Sequence, residues 1–277
     1  MEPAQGPTPE DLLKRREGFL VGAVVGASLT GRATGARHAP TALADALLVE
    51  LAGGGVDLRR LAGRWVDWQR VDGAGIDPIL TLALHHLRDF DAPIADLPSG
   101  NVAALAAVLP AALASASPRA MIAGAFHVAR LLDPLESTAL GAMAIVLAAA
   151  AFMAGRRDFV PDVVAALRAN DASAELIEAV RTIPRDPRTS PPVPIGANPG
   201  PPSVVTWVLW QAYHRPRGFD AMHELACAPD VSASVGALVG ALFGARDGTE
   251  SWPAEWLTRA GEDVVLRAVL ARRLGQI

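Results

Sequence analysis

The sequence predicts an all-α protein, and three observations carry that reading. Helical period runs through the chain, and no stretch alternates polar and apolar residues like a half-buried strand. Helix-start signatures recur: Thr8-Pro9, Asp57, Asp77-Pro78 and Ser173 each set a short oxygen-bearing side chain at the head of an apolar run. Gly236, Gly240 and Gly244 are spaced by four and lie along one helix face. They admit another helix backbone at close range. Each glycine costs about 1 kcal/mol of helix propensity. In water such a helix persists only when it is packed on nearly all sides.

Taken in order, residues 1–8 form a loose tail, and 9–277 a single domain. A helix capped by Thr8 runs from 11 to about 29 and turns glycine-rich after Gly18. A loop over 30–40 carries Arg32, Arg37 and His38, and Pro40 leads into a helix over 41–51. The glycines at 53–55 end it. Asp57 opens the next helix, with Leu58, Leu61, Trp65 and Trp68 along one buried stripe. Asp77-Pro78 opens another, to about 88. His85 and His86 are neighbours there and point in different directions, so one metal does not take both.

Ser99-Gly-Asn101 opens an alanine-rich helix that passes Pro110. Asp133-Pro134 caps a central helix containing the apolar run 139–154. That run is shorter than the ~20 residues a bilayer needs, and Glu136 and Arg156-Arg157 bound it, so it reads as a buried core helix. Helices follow over 158–170 and 173–182. The proline-rich stretch 184–202 reads as an ordered surface loop or lid, with a plain linker as the alternative, because proline removes amide donors. Helices over 203–213 and 219–227 precede the glycine helix, which Pro229-Asp230 opens.

Composition narrows the function. With 51% hydrophobic and 19% charged residues, the chain has material for a large core and is not disordered. A net charge of -4 gives no electrostatic footprint for nucleic acid. Cys227 is the single cysteine, so no intrachain disulfide forms. The N-terminus lacks the charged start and apolar run of a secretory signal, and the expected location is cytoplasmic.

The glycine helix, with its capped turn before and Trp252-Pro-Ala-Glu-Trp256 after, resembles the last core helix of the ADP-ribosylglycohydrolase family. In that family the turn reads Gly-Gly-Asp-Thr-Asp-Thr and its carboxylates bind magnesium. Here Pro229-Asp-Val-Ser-Ala-Ser234 stands there, and the two metal-binding aspartates fall on Val231 and Ala233. The segment 18–28 resembles the opening motif Gly-Xaa-Xaa-Gly-Asp-Ala-Xaa-Gly, with Ala27 at the aspartate. His38-Ala-Pro-Thr41 stands where the family has Thr-Asp-Asp-Thr, and Thr41 alone matches. Asn101 matches the asparagine of a pocket motif. Asp133-Pro134 matches the turn into the central helix.

The resemblance covers about 17–256 and implies a compact, orthogonal all-α bundle. It implies two magnesium ions that grip the ribose of ADP-ribose while carboxylates position water. Hard cations need oxygen ligands, and alanine, valine and proline side chains supply none. Magnesium is therefore expected for the family and not supported by these residues, so no metal site and no cofactor are assigned.

Three readings stay open: a non-hydrolysing ligand-binding or regulatory protein, a metal-independent enzyme using the same cleft, and an active ADP-ribosyl hydrolase. The candidate catalytic residues are His38 and Asp230. The candidate ligand-binding residues are Ser28, Thr41, Asn101, Asp133, Ser232 and Ser234. Asp230, Ser232 and Ser234 also fit plain helix caps, and Asn101 a turn. The expected partner is a small, nucleotide-like molecule or a protein, with no nucleic acid and no membrane.

Overall fold

The computed structural model describes residues 7–31, 38–73, 76–96, 100–113, 117–185, 200–228, 230–261, 267, 268 and 270. Its backbone is 79% helical, and the described residues contain no strand. In chain order the helices are α1 (Pro9–Thr30), α2 (Ala39–Ala52), α3 (Leu58–Asp72), α4 (Pro78–Phe90), α5 (Val102–Ala107), α6 (Pro118–Leu132), α7 (Glu136–Met153), α8 (Val160–Ala169), α9 (Ala174–Thr182), α10 (Pro201–His214), α11 (Gly218–Cys227), α12 (Ala233–Asp247) and α13 (Ala254–Ala260). The all-α expectation holds.

α1 begins where its cap predicts. The Thr8 hydroxyl accepts from the Asp11 amide at 3.2 Å, and the Asp11 carboxylate accepts from the Thr8 amide at 3.1 Å. Two orphan donors are thus satisfied reciprocally. From Gly18 to Ala27 every residue is buried, and the surface doing the burying is α12. The two helices run antiparallel with glycine on glycine: Gly18 meets Gly244, Gly22 meets Gly240 and Gly26 meets Gly236. A methyl group built on any of the six would overlap the carbonyl oxygen of its partner glycine. The backbones touch, so only hydrogen fits between them.

α7 is the hydrophobic centre and packs against α1, α5, α6, α8, α10 and α12. Its mean hydropathy of 1.7 over 18 residues is high enough to cross a membrane, yet 78% of it is buried inside the protein. The predicted core helix is therefore the observed one.

Several boundaries differ from expectation. The alanine-rich helix does not run through Pro110 as one α-helix. It stops at Ala107 and resumes as a 3-10 turn over Leu109–Ala112. Pro110 has no amide to donate, and its ring crowds the preceding turn. A separate helix, α6, follows, capped by the Ser117 hydroxyl with Pro118 at its first position. α10 starts at Pro201, so two prolines expected in the loop lie in its first turn, where a missing amide costs nothing. Residues 186–199, the bulk of the expected proline-rich loop, lie outside the described residues, as do Arg32 and Arg37.

α2 and α3 are joined by a buried charge. Glu50 is 1% exposed and accepts from the Arg60 Nε at 2.9 and 2.8 Å and from the Arg64 Nε at 2.8 Å. The Arg60 bonds, helped by Arg64 and opposed by burial, pull the Glu50 carboxyl from 4.5 down to about 2. Trp65 is fully buried on the same helix, its indole donating to the Leu43 carbonyl at 3.1 Å.

Gly22→Ala and Gly240→Ala are each expected to destabilise the fold by about 3 kcal/mol, because backbone cannot move aside as a side chain can. A urea midpoint unchanged from the parent's would contradict the close crossing. Glu50 binds a proton less readily folded than unfolded. Its contribution is therefore complete above pH 4.5 and fades as pH falls toward 2. In an acid titration followed by helical circular dichroism, Glu50→Gln should lack that part of the pH dependence.

Candidate functional site

The last turn of α1 and the first turns of α2 and α12 form one junction. The Thr30 hydroxyl lies 3.0 Å from the Gly26 carbonyl oxygen and 3.3 Å from that of Ser232, so it fastens the end of α1 to the start of α12. The Gly31 amide donates to Ala27 O at 2.8 Å and closes the helix. The His38 imidazole lies directly against Gly31, where a methyl group would overlap the ring. His38 is the N-cap residue of α2 without a side-chain cap bond. Its carbonyl accepts from the Thr41 and Ala42 amides, each at 3.0 Å. The N-cap residues of α2 and α12, His38 and Ser232, thus both reach the same turn of α1. Ser28, Thr30, Gly31, His38 and Ser232 are half-buried there.

The remaining candidates divide. The Ser28 hydroxyl donates to the Val25 carbonyl at 2.8 Å, within its own helix. The Ser232 hydroxyl accepts from the Val235 amide at 3.3 Å and is the cap of α12. Ser234 is buried in the first turn of that helix. Asp230 does not cap it, contrary to the expectation that Pro229-Asp230 opens the helix. It sits two residues upstream, exposed, with φ at 57°. Aspartate tolerates this left-handed conformation better than most residues, and Ser232 is the side chain placed to reach the third amide of the helix. Thr41 is 5% exposed, and its carbonyl accepts from the Arg267 guanidinium at 2.9 Å.

Asn101 and Asp133 form a second, buried group. Asp133 has no accessible surface. One of its oxygens accepts from the Asn101 amide and from the Thr138 hydroxyl, the latter at 2.9 Å. The other accepts from the Leu135 amide at 2.8 Å. Asn101 caps α5 through the Ala103 amide at 3.0 Å and donates to the Leu132 carbonyl at 3.3 Å. Gly100 completes the group, since a methyl there would overlap the Pro201 ring. A carboxylate enclosed with three donors joins α5, the end of α6 and the start of α7. Asp133 does not itself cap α7, whose N-cap residue is Leu135. It acts two residues upstream.

A family model for ADP-ribosylglycohydrolase matches residues 8–277. This chain belongs to the ADP-ribosylglycohydrolase family. A solved structure described as an ADP-ribosylglycohydrolase-related protein complex superposes with a TM-score of 0.72 at 19% identity, over 96% of this chain and 99% of that one. At that identity the likeness concerns the fold. None of the curated proteins compared matches the chain.

Ala27 is fully buried, Pro40 is buried, and Val231 is 8% exposed. Among the described residues no three His, Cys, Asp or Glu side chains gather as a metal-holding group. His85 is exposed, and the His86 Nδ1 lies 2.9 Å from the Ala92 carbonyl oxygen.

Two residues of the junction escape the sequence reading. Thr30 ends a long apolar run and carries no signal of its own. Arg267 lies far along the chain, and no motif links it to α2.

Asp133→Ala is expected to cost about 3 kcal/mol, because it strands the buried Asn101 and Thr138 donors and the half-buried Leu135 amide at once. Asp133→Asn keeps the shape and should cost less. Thermal denaturation of both variants gives the comparison, and equal, near-zero losses would refute the buried role.

Proposed function

We propose that this member of the ADP-ribosylglycohydrolase family is a cytoplasmic, non-hydrolysing protein that binds a nucleotide-like ligand or regulates a partner. The single observation that carries the reading is the donor set at the junction. Two magnesium ions require oxygen ligands, carboxylates above all, in near-octahedral geometry. The residues present do not fit that demand. Ala27, Ala39, Pro40, Val231 and Ala233 have no side-chain oxygen. The backbone oxygens beside them are engaged: Ala27 O with Gly31, His38 O with Thr41 and Ala42, and Ser232 O with Thr30 and Gly236.

The loss of metal removes charge stabilisation worth several kcal/mol to a glycosidic transition state. Nothing else at the junction replaces it in kind. The metal-independent alternative needs a hydroxyl and a base in register. The Ser28 and Ser232 hydroxyls are instead held by backbone groups of their own helices, which weighs against that alternative. The half-buried polar groups of His38, Thr30 and Ser232, gathered at one turn, support ligand binding, and the retained fold supplies the position for it.

Magnesium at millimolar concentration should leave the melting temperature unchanged, whereas ADP-ribose should raise it, since a ligand that prefers the native state stabilises it. Thermal shift with each additive tests both arms. A saturable rise with magnesium, or magnesium-dependent release of ADP-ribose from an ADP-ribosylated arginine peptide, would overturn the proposal.

A further inference from the structure

The end of the α1–α12 crossing opposite the junction carries a cleft of its own. Beyond the contact of Gly18 with Gly244, a cavity of about 190 Å³ opens between the first two turns of α1 and the turn after α12. Pockets for drug-sized ligands run from roughly 300 to 1,000 Å³, so an occupant of this one is small. Asp11, Lys14 and Arg15 line one wall, at spacings of three and four that put them on one face of α1. Asp247, Thr249 and Glu250 line the other.

Arg15 is half-buried. Its Nη1 donates to the Phe152 carbonyl at 2.8 Å, in the last turn of α7, and this bond fixes the guanidinium. Gly155 leaves room for that reach, since a methyl group there would lie 2.9 Å from Nη1. Among the described residues no other hydrogen bond and no ion pair engages this guanidinium. Its Nε–Nη2 edge, which can hold a carboxylate by two parallel bonds, is uncommitted. The other cations have partners. Lys14 pairs with Glu10 at 3.1 Å, and Arg246 donates to the carbonyls of Ala212, Arg215 and Pro216 and to Asp247. On the facing wall, the Thr249 hydroxyl and the Glu250 carboxylate make no hydrogen bond or ion pair among the described residues. After Glu10, Glu250 helps to hold the Lys14 ammonium above its usual value, yet the two do not close into an ion pair.

We propose that this cleft binds a small zwitterion of the amino-acid class, with its carboxylate on the free edge of Arg15 and the Thr249 hydroxyl and its cationic group at Glu250. A plain anion would face Asp11, Asp247 and Glu250, and a plain cation would face Lys14 and Arg15. A molecule with one charge of each sign is the one this set complements. Arg15 supplies the driving force. A guanidinium taken partly out of water with a single neutral acceptor is under-compensated, and a carboxylate restores its pairing. The cleft lies at the far end of the crossing from Thr30, His38 and Ser232, so it stands or falls apart from the proposed function.

Isothermal titration calorimetry on the full chain tests the assignment. Glycine, β-alanine and γ-aminobutyrate separate the two charges by growing distances, and butyrate and butylamine carry one charge each. At least one zwitterion should bind saturably in the millimolar range or below, about tenfold more tightly than either single-charge control. Arg15→Lys keeps the charge and loses the planar fork, and should weaken that binding about tenfold. Glu250→Gln, at an exposed position, should weaken it to a similar degree, and it keeps the test usable if Arg15→Lys fails to fold. No saturable binding by any of the three zwitterions would overturn the proposal. So would binding that either folded variant leaves within about twofold of the parent. Butyrate binding as tightly as the best zwitterion would overturn it too, because the cleft would then be a simple anion site.

Discussion

The contact on which the structure depends is the glycine-to-glycine crossing of α1 and α12. Three pairs of glycines bring the two backbones together with no side chain between them. Everything at the junction follows from that approach. Because Gly26 touches Gly236, the last turn of α1 falls beside the first turn of α12, and Thr30 can reach the Ser232 carbonyl. The His38 ring lies against Gly31 at the same turn. Propensity alone would oppose two glycine-rich helices. They persist because α12 is buried almost throughout and α1 from Gly18 to Ala27, and α7 covers both from the core.

That crossing is independent of the chemistry once placed at its end. A close-packed scaffold holds the ends of three helices in register whether or not carboxylates occupy them. A chain can therefore keep the ADP-ribosylglycohydrolase architecture over nearly its whole length whatever side chains stand at these helix ends. Alanine and valine are compatible with the packing, since Ala27 is wholly enclosed and Val231 nearly so. Carboxylates enclosed there without a cation would be costly. Apolar side chains are the ones such enclosed positions accept without a counter-charge.

Charge is used sparingly among the described interior residues, and where it occurs it joins separate elements. Glu50 ties α2 to α3 through two arginines. Arg246 is nearly enclosed and donates to the carbonyls of Ala212, Arg215 and Pro216, so it fixes the turn between α10 and α11 against α12. Asp133 gathers three donors around the start of α7, and Arg267 meets Asp45 on α2. In each case the buried charge finds its partners within reach, as its desolvation requires. Apolar packing supplies the bulk of the core, and these few groups supply register between elements.

The sequence by itself determined most of the helices and many of their starts. Thr8, Asp57, Asp77, Asn101 and Ser173 all cap as their side chains and neighbours dictate, because capping is a local bond within three residues. It also determined the burial of α7 and the close-approach face of α12, since both are written in the period of small and apolar residues. Tertiary structure alone decided the rest. Whether Asp230 or Ser232 capped α12 depended on where the chain turned. Whether Asp133 faced a ligand or the Asn101 amide depended on how α5 met α7. Arg267 acquired its meaning only when the chain end reached α2. Contacts between residues far apart in sequence leave no periodic trace, so the polar groups of the junction were legible as candidates, and their partners were not.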